Sequence, residues 1–99
     1  SAVEVRYNLA KGDKPFIIDA RSPEEWEESR LGIGEHLIPV GAIHGRLGEL
    51  PKDKSTEIIT YCKISLRGYE VARTLMANGY TNVKVMEGGI VAWPFPKEK

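Results

Sequence analysis

Residues 57–68 have the sequence EIITYCKISLRG, a short apolar run that ends at Cys62 and is followed by a brief loop. The run Glu57-Ile58-Ile59-Thr60-Tyr61 is too short for a helix and rich in β-forming residues, which indicates a strand. Residues 68–78 then place apolar side chains at the spacing of one buried helix face. A strand, a loop and a helix in this order are typical of α/β proteins.

Other segments extend the same pattern. Residues 16–18 (FII) are a short apolar run that predicts a buried parallel strand, and residues 83–86 (VKVM) predict a further strand. Ser22 and Glu25 have the spacing of a capping box, with a proline between them, so they predict the start of a helix. The alternation of helices and strands predicts an α/β fold, a mostly parallel sheet flanked by helices.

The remaining segments are less regular. Residues 5–11 predict a helix that ends at the following glycine. Residues 31–50 contain five glycines and predict a long irregular connection, interrupted by a brief strand at residues 42–44. A short helical segment is expected just before Trp93. We expect Trp26 and Trp93 to anchor the core.

The composition bounds the size and the partners of the protein. The 99 residues suffice for one domain, which we expect to span residues 1–99. Lys plus Arg and Asp plus Glu both number 14, so the zero net charge gives no electrostatic reason to expect nucleic acid or a membrane as partner. A single cysteine and the lack of a signal-peptide pattern predict a reducing, cytoplasmic location.

Cys62 is the residue that points to chemistry. It follows a predicted strand and precedes a helix, and in open α/β sheets this edge is where ligands bind. Amide N–H groups and the positive end of the helix dipole favour an anion there, so the Cys62 thiolate would be a nucleophile. Lys63 and Arg67 add positive charge. The competing interpretation, a cysteine buried as a small apolar residue, does not account for this placement.

Four segments, in the same order as in the family, resemble rhodanese-homology domains. Residues 61–68 are similar to the active-site loop of that family, in which four residues separate the cysteine from an arginine. Residues 16–26 (FIIDARSPEEW) resemble the D-x-R-x-x-x-E-[YW] motif. Residues 39–44 (PVGAIH) resemble a variant of the I-P-G-A-x-x-I-P stretch, and residues 86–93 (MEGGIVAW) resemble the G-G-x-x-x-W signature.

The resemblance implies a small three-layer domain in which Cys62 is the catalytic nucleophile. It implies a sulfurtransferase that moves a sulfane sulfur from thiosulfate, polysulfide or a persulfide to a thiol or cyanide through a Cys62 persulfide. No cofactor or metal is expected. The residues expected to cradle the substrate are those that follow the cysteine: Lys63, Ile64, Ser65, Leu66, Arg67 and Gly68.

Several alternatives stay open at this point. The segment after the loop most resembles rhodanese domains fused to coenzyme A-disulfide reductases, so the chain is also consistent with a sulfur-relay or regulatory domain beside a flavoprotein reductase. A cysteine phosphatase is a further alternative, although those enzymes place five residues between the cysteine and the arginine. The Arg67 guanidinium could bind an anionic donor, or it could hold the loop against a carboxylate such as Glu87.

Four more polar residues have weaker indications. Asp19 and Arg21 belong to the motif after the first strand, and we expect a structural ion pair at the strand–helix junction rather than a catalytic role. His36 and His44 are distant from Cys62 in sequence and are interpreted as ordinary loop or surface residues. The glycine pair before Ile90 is expected to let the backbone pass close to the active-site loop.

Overall fold

Four short strands form one parallel sheet in the computed structural model, which describes residues 1–99. The strands are β1 (Phe16–Asp19), β2 (His36–Leu37), β3 (Ile58–Tyr61) and β4 (Val83–Val85), and their order across the sheet is β2-β1-β3-β4. The helices are α1 (Ala2–Ala10), α2 (Pro23–Glu28) and α3 (Leu66–Ala77), with a 3₁₀ segment at Val40–Glu49. The predicted α/β fold with a parallel sheet flanked by helices is confirmed.

The register of the central strands determines where the site lies. Phe16 is paired with Ile58, and Asp19 at the end of β1 is paired with Tyr61 at the end of β3. The amide of Ala20 then donates to the carbonyl of Tyr61 at 2.8 Å. Because parallel strands end at one edge, the segments that follow β1 and β3 leave the sheet side by side.

The two faces of the sheet bury separate apolar clusters. Successive side chains of a strand point to opposite faces, so Ile17 and Ile18 belong to different clusters. Ile18 shares one cluster with Val71 and Leu75 of α3, and Cys62 belongs to that same cluster. The other cluster contains Ile17, α1 and Trp93. The sheet is therefore the middle of three layers, and Trp93 is a core residue as predicted.

The structure contradicts three expectations about the irregular segments. The brief strand expected at residues 42–44 is wrong, because residues 36–40 already occupy the outer edge of β1 and the chain turns into 3₁₀ geometry after Pro39. Residues 87–92 form a hydrogen-bonded turn rather than a helix. Trp26 is only half-buried, and its indole lies under the Arg30 guanidinium at 5.0 Å.

Element boundaries differ slightly from the predicted ones. The helix α3 begins at Leu66, two residues before the predicted start at Gly68. The capping box of α2 is present, since the Ser22 hydroxyl accepts from the Glu25 amide at 3.2 Å and Glu25 Oε1 accepts from the Ser22 amide at 3.1 Å. None of the helices is both long enough and apolar enough to span a bilayer.

Candidate active site

Cys62 lies directly after β3, at the base of a shallow surface pocket of about 360 Å³. The residue is 2% exposed and packs against the apolar cluster under α3 while also lining the pocket. The other lining residues are five of the six predicted cradle residues: Lys63, Ile64, Ser65, Leu66 and Arg67. Gly68 is buried within α3 and does not line the pocket. The loop of residues 63–67 thus forms the wall of the pocket beside Cys62.

The loop is held tightly between β3 and α3. The Thr60 hydroxyl donates to the carbonyl of Gly68 at 2.8 Å and so ties the end of the strand to the first turn of the helix. A Cβ at Gly68 would lie 3.3 Å from the Tyr61 Cα, which is tighter than ordinary contact. The absence of a side chain at Gly68 therefore lets α3 pack closely on the strand that carries Cys62.

The turn at residues 88–92 holds the loop from the other side. The Ile90 amide donates to the Cys62 carbonyl at 3.0 Å, and the Val91 amide donates to the Lys63 carbonyl at 3.1 Å. Gly89 has φ +54°, and a Cβ there would lie 2.1 Å from the Cys62 carbonyl oxygen. Only glycine allows this approach, so the close passage predicted for the glycine pair is confirmed at Gly89, whereas a Cβ at Gly88 would meet Ala92.

The amino end of α3 is open toward the loop. Ser65 is the N-cap residue, and its side chain makes no capping hydrogen bond. The first amides of a helix have no partner within the helix, so here they remain available to an anion, and the helix dipole adds to this preference. Ser65 has φ −158° and ψ −35°, which lies outside the left-handed region that favours glycine.

Arg67 forms a bidentate ion pair with Glu25 of α2. Its two terminal nitrogens donate to Glu25 Oε1 at 2.5 Å and Oε2 at 3.0 Å. Hydrogen bonding to Arg67 lowers the pKa of Glu25 to about 2, despite a smaller opposing effect of burial. The pKa of Arg67 is raised, mainly by its hydrogen bond to Glu25, against a smaller opposing effect of burial. Arg67 thus binds the carboxylate while lining the same pocket as Cys62.

The partner of Arg67 was not found from the sequence. The suggested carboxylate, Glu87, instead accepts a hydrogen bond from the Tyr69 hydroxyl. Glu25 was identified through its spacing from Ser22, which predicts a helix cap, and as the glutamate of the D-x-R-x-x-x-E-[YW] resemblance. The same carboxylate does both, because its Oε1 accepts from the Ser22 amide and from Arg67. The signal for the second role was the matching glutamate of the family motif.

Asp19 and Arg21 form a buried ion pair away from the pocket. Arg21 Nη2 and Nε donate to Asp19 Oδ2 at 2.8 Å and Oδ1 at 3.0 Å, and Nη2 also donates to the Ser29 carbonyl at 2.7 Å. Tyr61 bridges Asp19 and Glu35, with its hydroxyl 3.0 and 2.8 Å from their oxygens. Burial first, then these two carboxylates, raise the pKa of Tyr61. This network joins β1, β3 and the end of α2.

The two histidines lie outside the pocket. Both are exposed, and the His36 ring stacks on Phe16 with the centroids 4.2 Å apart. The structure contains no group of three or more His, Cys, Asp or Glu residues placed to hold a metal ion. The chemistry available at this site is therefore that of Cys62, Arg67 and the amide groups of the loop.

Comparison with known proteins assigns the family. Residues 1–94 match the family model of the rhodanese-like domain, and the chain belongs to that family. It is 34% identical over 89 residues to a sulfurtransferase of Allochromatium vinosum, which covers 86% of this chain and 77% of that protein. Sulfur transfer is therefore the general activity associated with its relatives.

Two further relatives are much longer than this chain. The probable adenylyltransferase/sulfurtransferase MoeZ of Mycobacterium tuberculosis is 35% identical over 92 residues, which are 91% of this chain and 23% of MoeZ. The crystal structure of reduced Bacillus anthracis CoADR-RHD superimposes with a TM-score of 0.76 at 34% identity, covering 89% of this chain and 15% of that one. Domains similar to this chain thus occur within larger proteins.

Proposed function

We propose that the protein transfers sulfane sulfur and carries it on Cys62 as a persulfide. The observation that carries the proposal is the position of Cys62, which lines the pocket between the end of β3 and the uncapped amino end of α3. Amide N–H groups at such a position stabilise an anionic sulfur, and the exposed Lys63, which lines the same pocket, adds a weaker attraction. Both the Cys62 thiolate and its persulfide are anions of this kind.

The reaction then proceeds in two steps. The Cys62 thiolate attacks the sulfane sulfur of thiosulfate, a polysulfide or a persulfide, and the rest of the donor leaves. An acceptor thiol or cyanide next attacks the outer sulfur of the Cys62 persulfide and restores the thiolate. Because the donor product leaves before the acceptor reacts, this covalent mechanism predicts ping-pong kinetics. A free thiolate cysteine also favours a reducing compartment such as the cytoplasm.

A second candidate is a sulfur relay within a larger protein. The lengths of MoeZ and CoADR-RHD support it, because in both the matching region is a minor part of the chain. In that arrangement Cys62 passes its sulfur to an adjoining domain, such as a flavoprotein reductase, instead of a free acceptor. Adding a candidate partner domain should then speed removal of sulfur from Cys62, and an equal concentration of free thiol should not.

Intact mass spectrometry tests the proposal. After incubation with polysulfide or thiosulfate, the protein should gain the mass of one sulfur atom, and cyanide or a thiol should remove it. The Cys62→Ser variant is the matched control and should gain nothing. A protein that gains no sulfur from either donor, or a Cys62→Ser variant that gains as much as the wild type, would refute the assignment.

A further inference from the structure

The pocket around Cys62 carries little free positive charge. Arg67 lines the pocket, but both of its terminal nitrogens are bound to the Glu25 carboxylate, which compensates its charge. Lys63, the other cation that lines the pocket, is exposed, where water screens it. A site adapted to a small dianion would present at least one uncompensated guanidinium to it. The structure does not provide one.

The rim of the same pocket is apolar. Ile64 and Leu66 line the pocket and are 58% and 72% exposed. Val91, whose amide donates to the Lys63 carbonyl, is 63% exposed. Removing large aliphatic side chains from water makes the free energy of ligand binding more favourable. Ile64 and Leu66, which line the pocket together with Cys62, favour a donor that has an apolar body.

We propose that Glu25 is a specificity-determining positioning residue, which compensates Arg67 so that Cys62 accepts sulfur from organic hydropersulfides with an apolar body in preference to dianionic thiosulfate. This inference rests on the proposed function of Cys62 and names the donor class for it. Glu25 does not touch the donor. It acts through Arg67 and sets the net charge that the donor meets.

The two donors place different amounts of charge in the pocket. With an organic hydropersulfide, R–S–SH, the Cys62 thiolate forms an S–S bond to the outer sulfur, the S–S bond of the donor breaks, and R–SH leaves with the proton. The reacting atoms then carry one negative charge. With thiosulfate the same attack releases sulfite dianion, and three negative charges are gathered at the site. Only the second reaction needs an uncompensated cation.

The variant Glu25→Gln separates charge from shape. Glutamine keeps an oxygen for the Ser22 amide and so preserves the cap of α2, but it leaves the Arg67 charge uncompensated. We expect the ratio of the rates of sulfur loading from thiosulfate and from benzyl hydropersulfide to rise about tenfold, since one unit charge at close range changes by this amount or more. Glu25→Asp keeps the charge and should return the ratio toward that of the wild type.

Glu24→Gln is the matched control, because it removes the same charge from the same turn of α2 at an exposed position without the Arg67 contact. Its ratio should equal that of the wild type. A merely structural role for Glu25 would lower both rates together, and an unchanged ratio in Glu25→Gln would overturn the inference while leaving sulfur transfer by Cys62 intact. Failure of the wild type to load sulfur from either donor would instead refute the proposed function and this inference with it.

A second variant tests the apolar rim without relying on α2. Leu66→Ser changes an exposed side chain, so the fold should tolerate it. Loading from benzyl hydropersulfide should fall about fivefold relative to loading from thiosulfate, which corresponds to the loss of one partly buried aliphatic contact. An unchanged ratio in this variant would also count against the donor class proposed here.

Discussion

Arg21 and Arg67 each hold a carboxylate with two nitrogens, yet the two pairs differ in their surroundings. In the Arg21–Asp19 pair the side chains are 4% and 0% exposed, and in the Arg67–Glu25 pair they are 32% and 27% exposed. A buried pair that loses one partner leaves an unpaired charge inside the protein, whereas a half-exposed charge can return to water. The first pair is therefore suited to hold the fold, and the second to tune a site.

The largest effect is expected at the buried pair. Asp19→Asn removes the charge that faces Arg21, and the guanidinium has no water to replace it. We expect the free energy of unfolding to fall by about 3 kcal/mol or more, the usual cost of an unpaired buried charge. Urea unfolding measures this. Asp13→Asn, at an exposed position, is the matched control and should change the value by less than about 0.5 kcal/mol.

If Asp19→Asn proved as stable as Asp13→Asn, the Arg21–Asp19 pair would contribute no more to stability than the Arg67–Glu25 pair is expected to. Such a result would mean that the Glu25 and Ser29 carbonyls satisfy Arg21 on their own. The two pairs would then differ only in their effect on the pocket around Cys62.

The opposite balance is expected at Arg67. Arg67→Gln should lower the free energy of unfolding by no more than about 1 kcal/mol, because the pair is partly exposed. Sulfur loading of Cys62 from polysulfide should fall by about tenfold or more, because the Glu25 carboxylate is then left as an uncompensated negative charge beside the pocket that must hold the anionic sulfur. The control is Arg73→Gln, an exposed arginine of the same helix. A variant as unstable as Asp19→Asn, or one with unchanged loading, would contradict the assignment.

The smallest effect concerns pH. Because the pKa of Glu25 is lowered from 4.5 to about 2 in the folded protein, its ionised form stabilises the fold at pH values above 4.5. That contribution is lost as the pH falls from 4.5 toward 2. The stability difference between wild type and Glu25→Gln should therefore be constant from pH 7 to 5 and shrink below pH 4.5. Urea unfolding across this range tests it, and a difference independent of pH would show that the pair is weak.

The local signals in the sequence predicted most of what positions the site. The apolar runs before Asp19 and Cys62 predicted two neighbouring strands, and their parallel pairing follows from the alternation with helices. The Ser22 capping box predicted the start of α2. The placement of Cys62 between a strand and a helix predicted the pocket. Each of these features depends on residues that are close together in the chain.

The features that were missed depend on distant residues or on short segments. Arg67 and Glu25 are 42 positions apart, so no short-range pattern links them, and only the motif glutamate at Glu25 sets it apart from Glu87. The strand β2 has two residues, too few for any periodicity. Trp26 was expected in the core because it is large and apolar, but no residue of α2 is fully buried.

The contact between Gly89 and the Cys62 carbonyl has a consequence for any shortened form of this protein. The carbonyl of Cys62 accepts a hydrogen bond from the Ile90 amide, in a turn whose Gly89 lies 27 positions further along the chain. A fragment that stops before that turn would retain Cys62 and α3, but the carbonyls of Cys62 and Lys63 would lose the hydrogen bonds that hold the loop in place. A minimal working unit must therefore extend through Val91.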